Sequence, residues 1–383
     1  MKAVIAIDSF KGSLNTVQSG TAVAEAIRSV YPDAETKVCP LADGGEGTVS
    51  AVVSALNGEL CKVEVCGPLG EKVVAEYGVI SSKKLAVIEM SAAAGITLVP
   101  DEQRNPLNTT TYGVGELILH AIEKMGCRHF LIGIGGSATN DGGLGMLSAL
   151  GFEFFDKNGT PVSYFGKGLR DIVRINASRC LPALKNCSFQ IACDVNNPLC
   201  GETGCSRIYG AQKGATEEII CDMDAWLSSY AVLTKAVFQN ADANYPGAGA
   251  AGGLGFAFLS YLHASLTSGI ELVMRMTELE DQIQDADIVV TGEGRLDAQS
   301  CMGKAPVGVA RIAKKYGKPV IAFSGAVSKD AGLCNEYGID AFFPIVCTPC
   351  SLKDAMNSDN AYTNLKNTAE QAFRLIKTFS KIR

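Results

Sequence analysis

The feature that most limits the fold is an alternation of strand and helix signals that opens the chain, breaks off near residue 60 and resumes at Ala286. Lys2 to Ile7 is an apolar run ending at Asp8, the pattern of a strand buried on both faces in a parallel sheet. From Thr16 to Val30, Val23, Ile27 and Val30 recur at helical spacing until Pro32. Thr36 to Pro40 and Glu46 to Leu56 predict a second strand and helix. After Ala286 come a strand at Asp287 to Thr291, a helix from Ala305 to Tyr316 with Pro306 in its first turn, and strands at Pro319 to Phe323 and Ala341 to Val346. Leu365, Ala369, Ala372, Ile376 and Phe379 mark a closing helix. These outer segments predict a small doubly wound parallel sheet interrupted by a large insertion.

The insertion has a different rhythm. Glu59 to Cys66, Lys72 to Ile80 and Leu85 to Met90 are β-like runs joined by turns, which predicts antiparallel pairing. Val114, Leu117, Ile118, Ala121, Ile122 and Met125 form an apolar helix face. Arg128 to Ile134 reads as a strand running into Gly135-Gly136. Phe152 to Phe155 before Asp156-Lys157-Asn158-Gly159 predicts a hairpin. Phe189 to Cys193 is a further strand ending at Asp194, and Ala215 to Asn240 is mostly helical. The chain has 383 residues, more than one ordinary core holds. The expected domains are 1–60 plus 285–383, and an inserted mixed α/β domain over 61–284.

Composition removes several functions. The net charge is −6 and no Lys/Arg cluster appears, which argues against nucleic acid. An anionic substrate would need local positive charge. Asn244 to Ile270 carries no charged side chain, but Pro246 to Gly253 has loop composition and the remaining apolar run is short, so a glycine loop feeding a buried helix is expected rather than a membrane span. Fourteen cysteines sit mostly singly among apolar residues. The run from Met1 to Asp8 is too short for a secretory signal, so the expectation is a cytoplasmic protein with reduced thiols. Cys347-Thr348-Pro349-Cys350 lies far from the early βαβ position of a thioredoxin-type motif, and these cysteines are expected to be structural.

Five segments have residue types that could serve chemistry, four of them at a strand end. Asp8-Ser9-Phe10-Lys11-Gly12-Ser13 follows the first strand, where open α/β sheets bind ligands. Asp43-Gly44-Gly45-Glu46-Gly47 follows the second; its acids either bind a cation or proton, or cap the next helix. Gly133-Ile134-Gly135-Gly136-Ser137-Ala138-Thr139-Asn140-Asp141-Gly142-Gly143 suits phosphate, with glycines for close backbone approach and small polar side chains as donors; it is not a Walker A loop. Gly247-x-Gly249-x-x-Gly252 formally matches a dinucleotide fingerprint, but no strand precedes it, so it is expected to shape a cleft. Thr291 through Asp297, with Lys304 beyond, sets Glu293 and Asp297 around Arg295, a set that can hold Mg²⁺ and offset phosphate charge. Asp194 ends another strand, and Lys213 adds a cation. The scattered histidines form no triad or metal cluster, and the Gly-x-Ser-x-Gly elbow of a serine hydrolase is missing. The pattern favours phosphoryl transfer without naming the acceptor.

At these loops the sequence resembles the bacterial type I glycerate kinases. The matching segments are Asp8 to Gly12, Pro40 to Gly47, Gly133 to Gly143, Gln212-Lys213-Gly214-Ala215, Pro246 to Gly255, Thr291 to Asp297 and Gly303-Lys304. Gly210-Ala211-Gln212 departs from the more usual Gly-Pro-Gln. The resemblance implies ATP and Mg²⁺ as cofactors, D-glycerate as substrate and 2-phosphoglycerate as product. It also implies a flavodoxin-like doubly wound domain interrupted by a second, larger mixed α/β domain. Glycerate is then expected between the two domains, with Lys11 or Arg295 on its carboxylate and Asp8, Asp43 or Asp194 orienting or deprotonating the hydroxyl. Gly135, Gly136, Ser137, Asn140, Lys213 and Lys304 are expected at the nucleotide, and Asp141, Glu293 and Asp297 at the metal. Domain closure is expected to exclude water. A 3-phosphoglycerate-forming kinase, a kinase of another sugar acid, a phosphatase and a non-catalytic sugar-acid sensor are the alternatives. A homo-oligomer is left open.

Overall fold

The structure, a computed structural model, describes residues 1–302 and 304–380, with the backbone alone at 302 and 380. Gly303, one of the residues that carry the resemblance, lies outside the described residues. In chain order the strands are β1 (Lys2–Ile7), β2 (Glu35–Val38), β3 (Glu59–Cys66), β4 (Lys72–Ile80), β5 (Leu85–Glu89), β6 (His129–Gly133), β7 (Glu153–Phe155), β8 (Arg174–Asn176), β9 (Ser188–Ala192), β10 (Ser265–Thr267), β11 (Ile288–Leu296), β12 (Val320–Val327) and β13 (Ala341–Pro344). The chain forms two units, one of Met1–Asp43, Ser50–Leu56 and Ile270 onward, the other of Gly44–Val49 and Asn57–Gly269.

In the first unit β1 is apolar at successive positions because helices cover both its faces. Ala3, Ile5 and Ile7 pack with Val23 and Ile27 of the helix Thr16–Val30 and with Leu365 and Phe373 of the helix Ser358–Ser380. Val4 and Ala6 face the opposite layer, with Val307, Ala310 and Ala313 of the helix Ala305–Lys315. Thr16–Val30 starts where it does because Asn15 and Gln18 form a capping box, each side chain accepting the other's backbone N–H at 2.8 and 3.0 Å. The five strands are all parallel in the order β13-β12-β11-β1-β2. Counted along this unit alone, that is the flavodoxin order 2-1-3-4-5, whose switch point lies between β1 and β11. The unit resumes at Ile270, ahead of the position 285 taken from the strand signal. Ile270, Met274, Leu279 and Ile283, in the helices Gly269–Met276 and Leu279–Gln284, join the same core layer as Val307.

The second unit carries a six-stranded sheet in the order β10-β9-β6-β5-β4-β3. β3, β4 and β5 pair antiparallel, whereas β5, β6, β9 and β10 run parallel. Register sets Glu89 beside Gly133, Gly133 beside Ala192, and Ala192 beside Thr267. The carboxyl ends of those four strands therefore finish in one row. The helix Tyr112–Glu123 buries Val114, Leu117, Ile118, Ala121 and Ile122 beneath them, as its spacing predicts, whereas Met125, expected on the same face, lies past the helix end and is exposed.

The hairpin predicted at Phe152 to Phe155 takes a different form. β7 pairs antiparallel with β8, some twenty residues on, and the intervening turn contributes a single bridge from Phe155 to Pro161. Asp156 draws the turn tight by accepting from the N–H groups of Asn158 and Thr160, both at 2.8 Å. The bridge is closed by the N–H groups of Asp156 and Val162, which donate to Thr160 O (2.9 Å) and Phe154 O (3.0 Å). Near the end of this unit the helix Ala250–Leu262 is almost wholly buried, and among the described residues no helix is long and apolar enough to cross a membrane.

Candidate functional site

At the switch point of the first unit the sheet brings acids together. The Asp8 N–H donates to Gly292 O at 2.9 Å, so Asp8, just past β1, lies level with Glu293 within the neighbouring β11. Asp43, beyond β2, accepts from Lys11 Nζ at 2.9 Å. Burial above all, then the negative charge of Asp43, pushes Asp8 up to about 7, although the Ser9 N–H on its carboxylate and the Lys11 ammonium pull the other way. Burial likewise raises Glu293, against the Ser300 hydroxyl, which donates to its Oε1, and the Lys304 charge. Asp297 faces Arg295 Nε at 3.5 Å and Lys304 Nζ at 3.7 Å, and accepts the Gln299 N–H at 3.0 Å. Two cations and two acids thus stand in alternation along residues 293–304.

The segment 291–297 was expected as a loop past the strand. Instead β11 continues to Leu296, paired with β12 as far as Leu296 beside Val327. The glycines Gly292 and Gly294 do not end the strand, because β12 runs on alongside it to Val327 and supplies ladder partners up to that point.

In the second unit the row of strand ends carries Glu89, the 133–143 loop and Asp194. Gly135 and Gly136 are exposed, Gly136 in the left-handed region at φ 71°. Two backbone bonds, Ile96 N–H to Gly136 O (2.8 Å) and Ala138 N–H to Ala94 O (2.9 Å), pin this loop. Among the described residues the N–H groups of Gly135, Gly136 and Ser137 meet no acceptor, so successive donors are left for an anion. Beneath them Lys213, 3% exposed, donates from Nζ to Ser137 Oγ at 2.8 Å and to Thr139 O at 2.6 Å. The exposed Asp194 accepts the Gly269 N–H at 3.1 Å, at the start of the helix Gly269–Met276.

Comparison with known proteins decides what these loops belong to. The model of the glycerate kinase family matches residues 3–377. A glycerate kinase of Haemophilus influenzae is 47% identical over 98% of this chain and 99% of its own length. A glycerate 2-kinase of Escherichia coli is 48% identical over 95% of each. The chain belongs to the glycerate kinase family. A crystal structure of a glycerate kinase 2 candidate from Salmonella typhimurium LT2 superposes with a TM-score of 0.92 at 45% identity, covering 100% of this chain and 99% of that one.

Within this family member the structure reassigns two of the residues selected from sequence. Asp141 was expected at a metal, yet it is fully buried. Its carboxylate is taken up by the N–H groups of Thr111 (2.8 Å), Gly143 (3.1 Å) and Gly145 (3.2 Å) and by the Thr111 hydroxyl (2.8 Å). With three donors on Oδ2, one on Oδ1 and no exposed surface, Asp141 ties the loop to the helix Leu144–Ala149. Asn140 was expected at the nucleotide, but its side chain points inward, donating to Ser206 Oγ at 2.8 Å and accepting from Cys205 Sγ. Among the described residues no group of three or more His, Cys, Asp or Glu is arranged to hold a metal.

Three features were not singled out from sequence. Glu89, half-buried and raised in pKa chiefly by desolvation, accepts the Val49 N–H at 2.8 Å and so caps the helix Thr48–Ala55; its position at a strand end was a signal. Thr111 and Ser300 hold Asp141 and Glu293 from other elements, which no local pattern reveals. The Gly247–Gly253 segment also finds its reason. The helix there passes through left-handed Ala251, Gly252 and Gly253, and a Cβ on Gly252 would lie 2.1 Å from Thr139 O. Gly252 and Gly253 therefore form the floor of the 133–143 loop, whereas Gly247 and Gly249 pack against Val195 to Pro198.

Proposed function

We propose that the chain transfers the terminal phosphoryl group of ATP to the 2-hydroxyl of D-glycerate, giving ADP and 2-phosphoglycerate in the cytoplasm. The observation that carries the reading is the switch-point cluster, where a carboxyl group titrating about 7 lies beside a lysine in a glycerate kinase family member. The Escherichia coli relative, a glycerate 2-kinase, supports the 2-position.

Each unit then has its own task. Lys11, its side chain largely exposed, and Arg295 take the substrate carboxylate through charge-assisted hydrogen bonds. Asp43 orients Lys11. Asp8 accepts the proton of the attacking hydroxyl, since a base is most effective when its pKa lies near the working pH. Asp194 offers a further acceptor for a substrate hydroxyl. The free N–H groups of Gly135, Gly136 and Ser137 receive phosphate oxygens, and Lys304 neutralises negative charge near Asp297. Most of the rate then comes from positioning and charge stabilisation.

Glu293 and Asp297 would hold Mg²⁺. The donor set fits, because this ion keeps several waters and binds through one or two carboxylates plus substrate phosphates, and burial together with the Asp297 charge holds Glu293 in want of a cation. When bound, it would draw negative charge from the phosphate oxygens.

The test is purified protein with ATP, MgCl₂ and D-glycerate, with ADP release followed by a coupled assay and the product read by phosphorus NMR. The expected result is ADP with the 2-phosphoglycerate resonance. Absence of turnover would end the kinase reading, and a 3-phosphoglycerate resonance would end the assignment of the hydroxyl.

A further inference from the structure

Lys213 is an unusual cation for a phosphate-handling protein, because it is buried rather than presented. It closes a short turn, Ala211–Lys213, and Gly214 follows in the left-handed region, packed against Arg104 O so closely that a Cβ would lie 2.0 Å away. That packing holds the turn, and the turn aims the side chain upward into the 133–143 loop. An ammonium has three N–H donors. Two are used, on Ser137 Oγ and Thr139 O, and no described residue accepts the third. The Thr139 hydroxyl beside it is also buried without a partner. A desolvated cation with a spare donor, next to an orphan hydroxyl and under a run of free backbone N–H groups, is a donor set suited to an anion.

The hydrogen-bond direction matters equally. Because Ser137 Oγ accepts from Lys213, its own proton is free to be donated on the other side, where the loop is exposed. The lysine therefore converts an ambivalent hydroxyl into a committed donor.

We infer that Lys213 is a positioning residue for a polyphosphate, acting from beneath the Gly135–Ser137 loop by orienting the Ser137 hydroxyl outward and by lending the loop a fixed positive charge. The inference rests on the kinase reading for the identity of the polyphosphate as that of ATP, but not for the geometry. Burial lowers the Lys213 pKa to about 8, with the Cys205 thiol and the Asp141 carboxylate opposing the shift. The charge is consequently lost at mildly alkaline pH, and an anion bound above it would be lost with it.

Calorimetric binding of ATP and of adenosine, without glycerate, tests this in wild type and Lys213→Met. Loss of a charged hydrogen-bonding partner is expected to weaken ATP by about ten-fold or more, with adenosine unchanged. A folded Lys213→Met protein that binds ATP as wild type does would overturn the inference. Should that variant fail to fold, the wild-type protein decides alone. ATP affinity is expected to fall from about pH 7.5 to 9.5, a range past the titration of the terminal phosphate near about 6, whereas adenosine affinity stays level. A flat ATP profile would overturn it as well. Because glycerate takes no part, a protein that binds ATP in this way yet leaves glycerate untouched would refute the proposed reaction and spare Lys213.

Discussion

At Asp8 the proposed chemistry and the stability of the fold pull in opposite directions. Its folded pKa, about 7, stands above the ordinary 3.8 because burial and the charge of Asp43 penalise the anion. Between those values the folded state binds more protons than the unfolded one, so stability falls as pH rises through that window and the cost is complete above about 7. Asp8→Asn removes the cost. Thermal unfolding at pH 8 should therefore show a higher Tm than wild type, and the gain should vanish near pH 4. Turnover should move oppositely, with kcat lower by about 10²- to 10⁴-fold if Asp8 is the base. In the wild type, kcat should decline as pH falls through about 7. An unchanged kcat in Asp8→Asn would remove it from the base role. Lys11 offers the contrasting case. Its pair with Asp43 is exposed, and such pairs contribute about 0–1 kcal/mol, so Lys11→Ala should leave Tm within a degree or two while raising KM for glycerate. At this scale the sequence was legible in part. Asp8, Lys11, Asp43 and Glu293 could be chosen because acids and lysines at parallel strand ends are conspicuous. Asp141 and Asn140 looked equally suitable, and only their partners from remote segments, Thr111 and Ser206, reveal that they face inward.

Among the elements, the 133–143 loop depends on another segment for its shape. Gly252 lies against Thr139 and Asn140 with no space for a methyl group, and its carbonyl accepts the Gly142 N–H at 2.9 Å. Its left-handed φ of 66° adds a backbone cost for any other residue. Gly252→Ala should destabilise the second unit by about 1–3 kcal/mol and weaken nucleotide binding through the displaced loop, measured by denaturant unfolding and calorimetry. Equal stability and affinity in the variant would mean that the contact is not needed. Most strands and helices were readable from period and punctuation: β3 and β4 have the limits that alternation and their Gly-Pro and Ser-Lys turns indicate. The extension of β11 through two glycines was not, because its cause is a partner strand. The short β8 and β10 were missed for the same reason, each having three residues and no pattern of its own.

Across the whole molecule, the first unit draws its central sheet from both ends of the sequence, and the closing helix Ser358–Ser380 supplies much of one core layer. Leu365 and Phe373 are fully buried against β1 and the helix Thr16–Val30. Leu365→Ala should cost about 2–5 kcal/mol, read by chemical denaturation. A cost below 1 kcal/mol would show that the helix is only loosely attached. The doubly wound architecture and its interruption were apparent from the pattern that stops and resumes, whereas the point of return was not, since the helices before β11 carry no signal of which core they serve. That interrupted order also governs how the protein is made. As the polypeptide leaves the ribosome, β1 and β2 emerge well before β11, the parallel neighbour of β1 across the switch point, which is translated roughly 250 codons later. Until then the edge of β1 is unsatisfied and open to wrong partners, while the inserted segment can already collapse by itself. Synthesis of such a chain should depend on keeping its earliest strands quiet until its latest ones arrive.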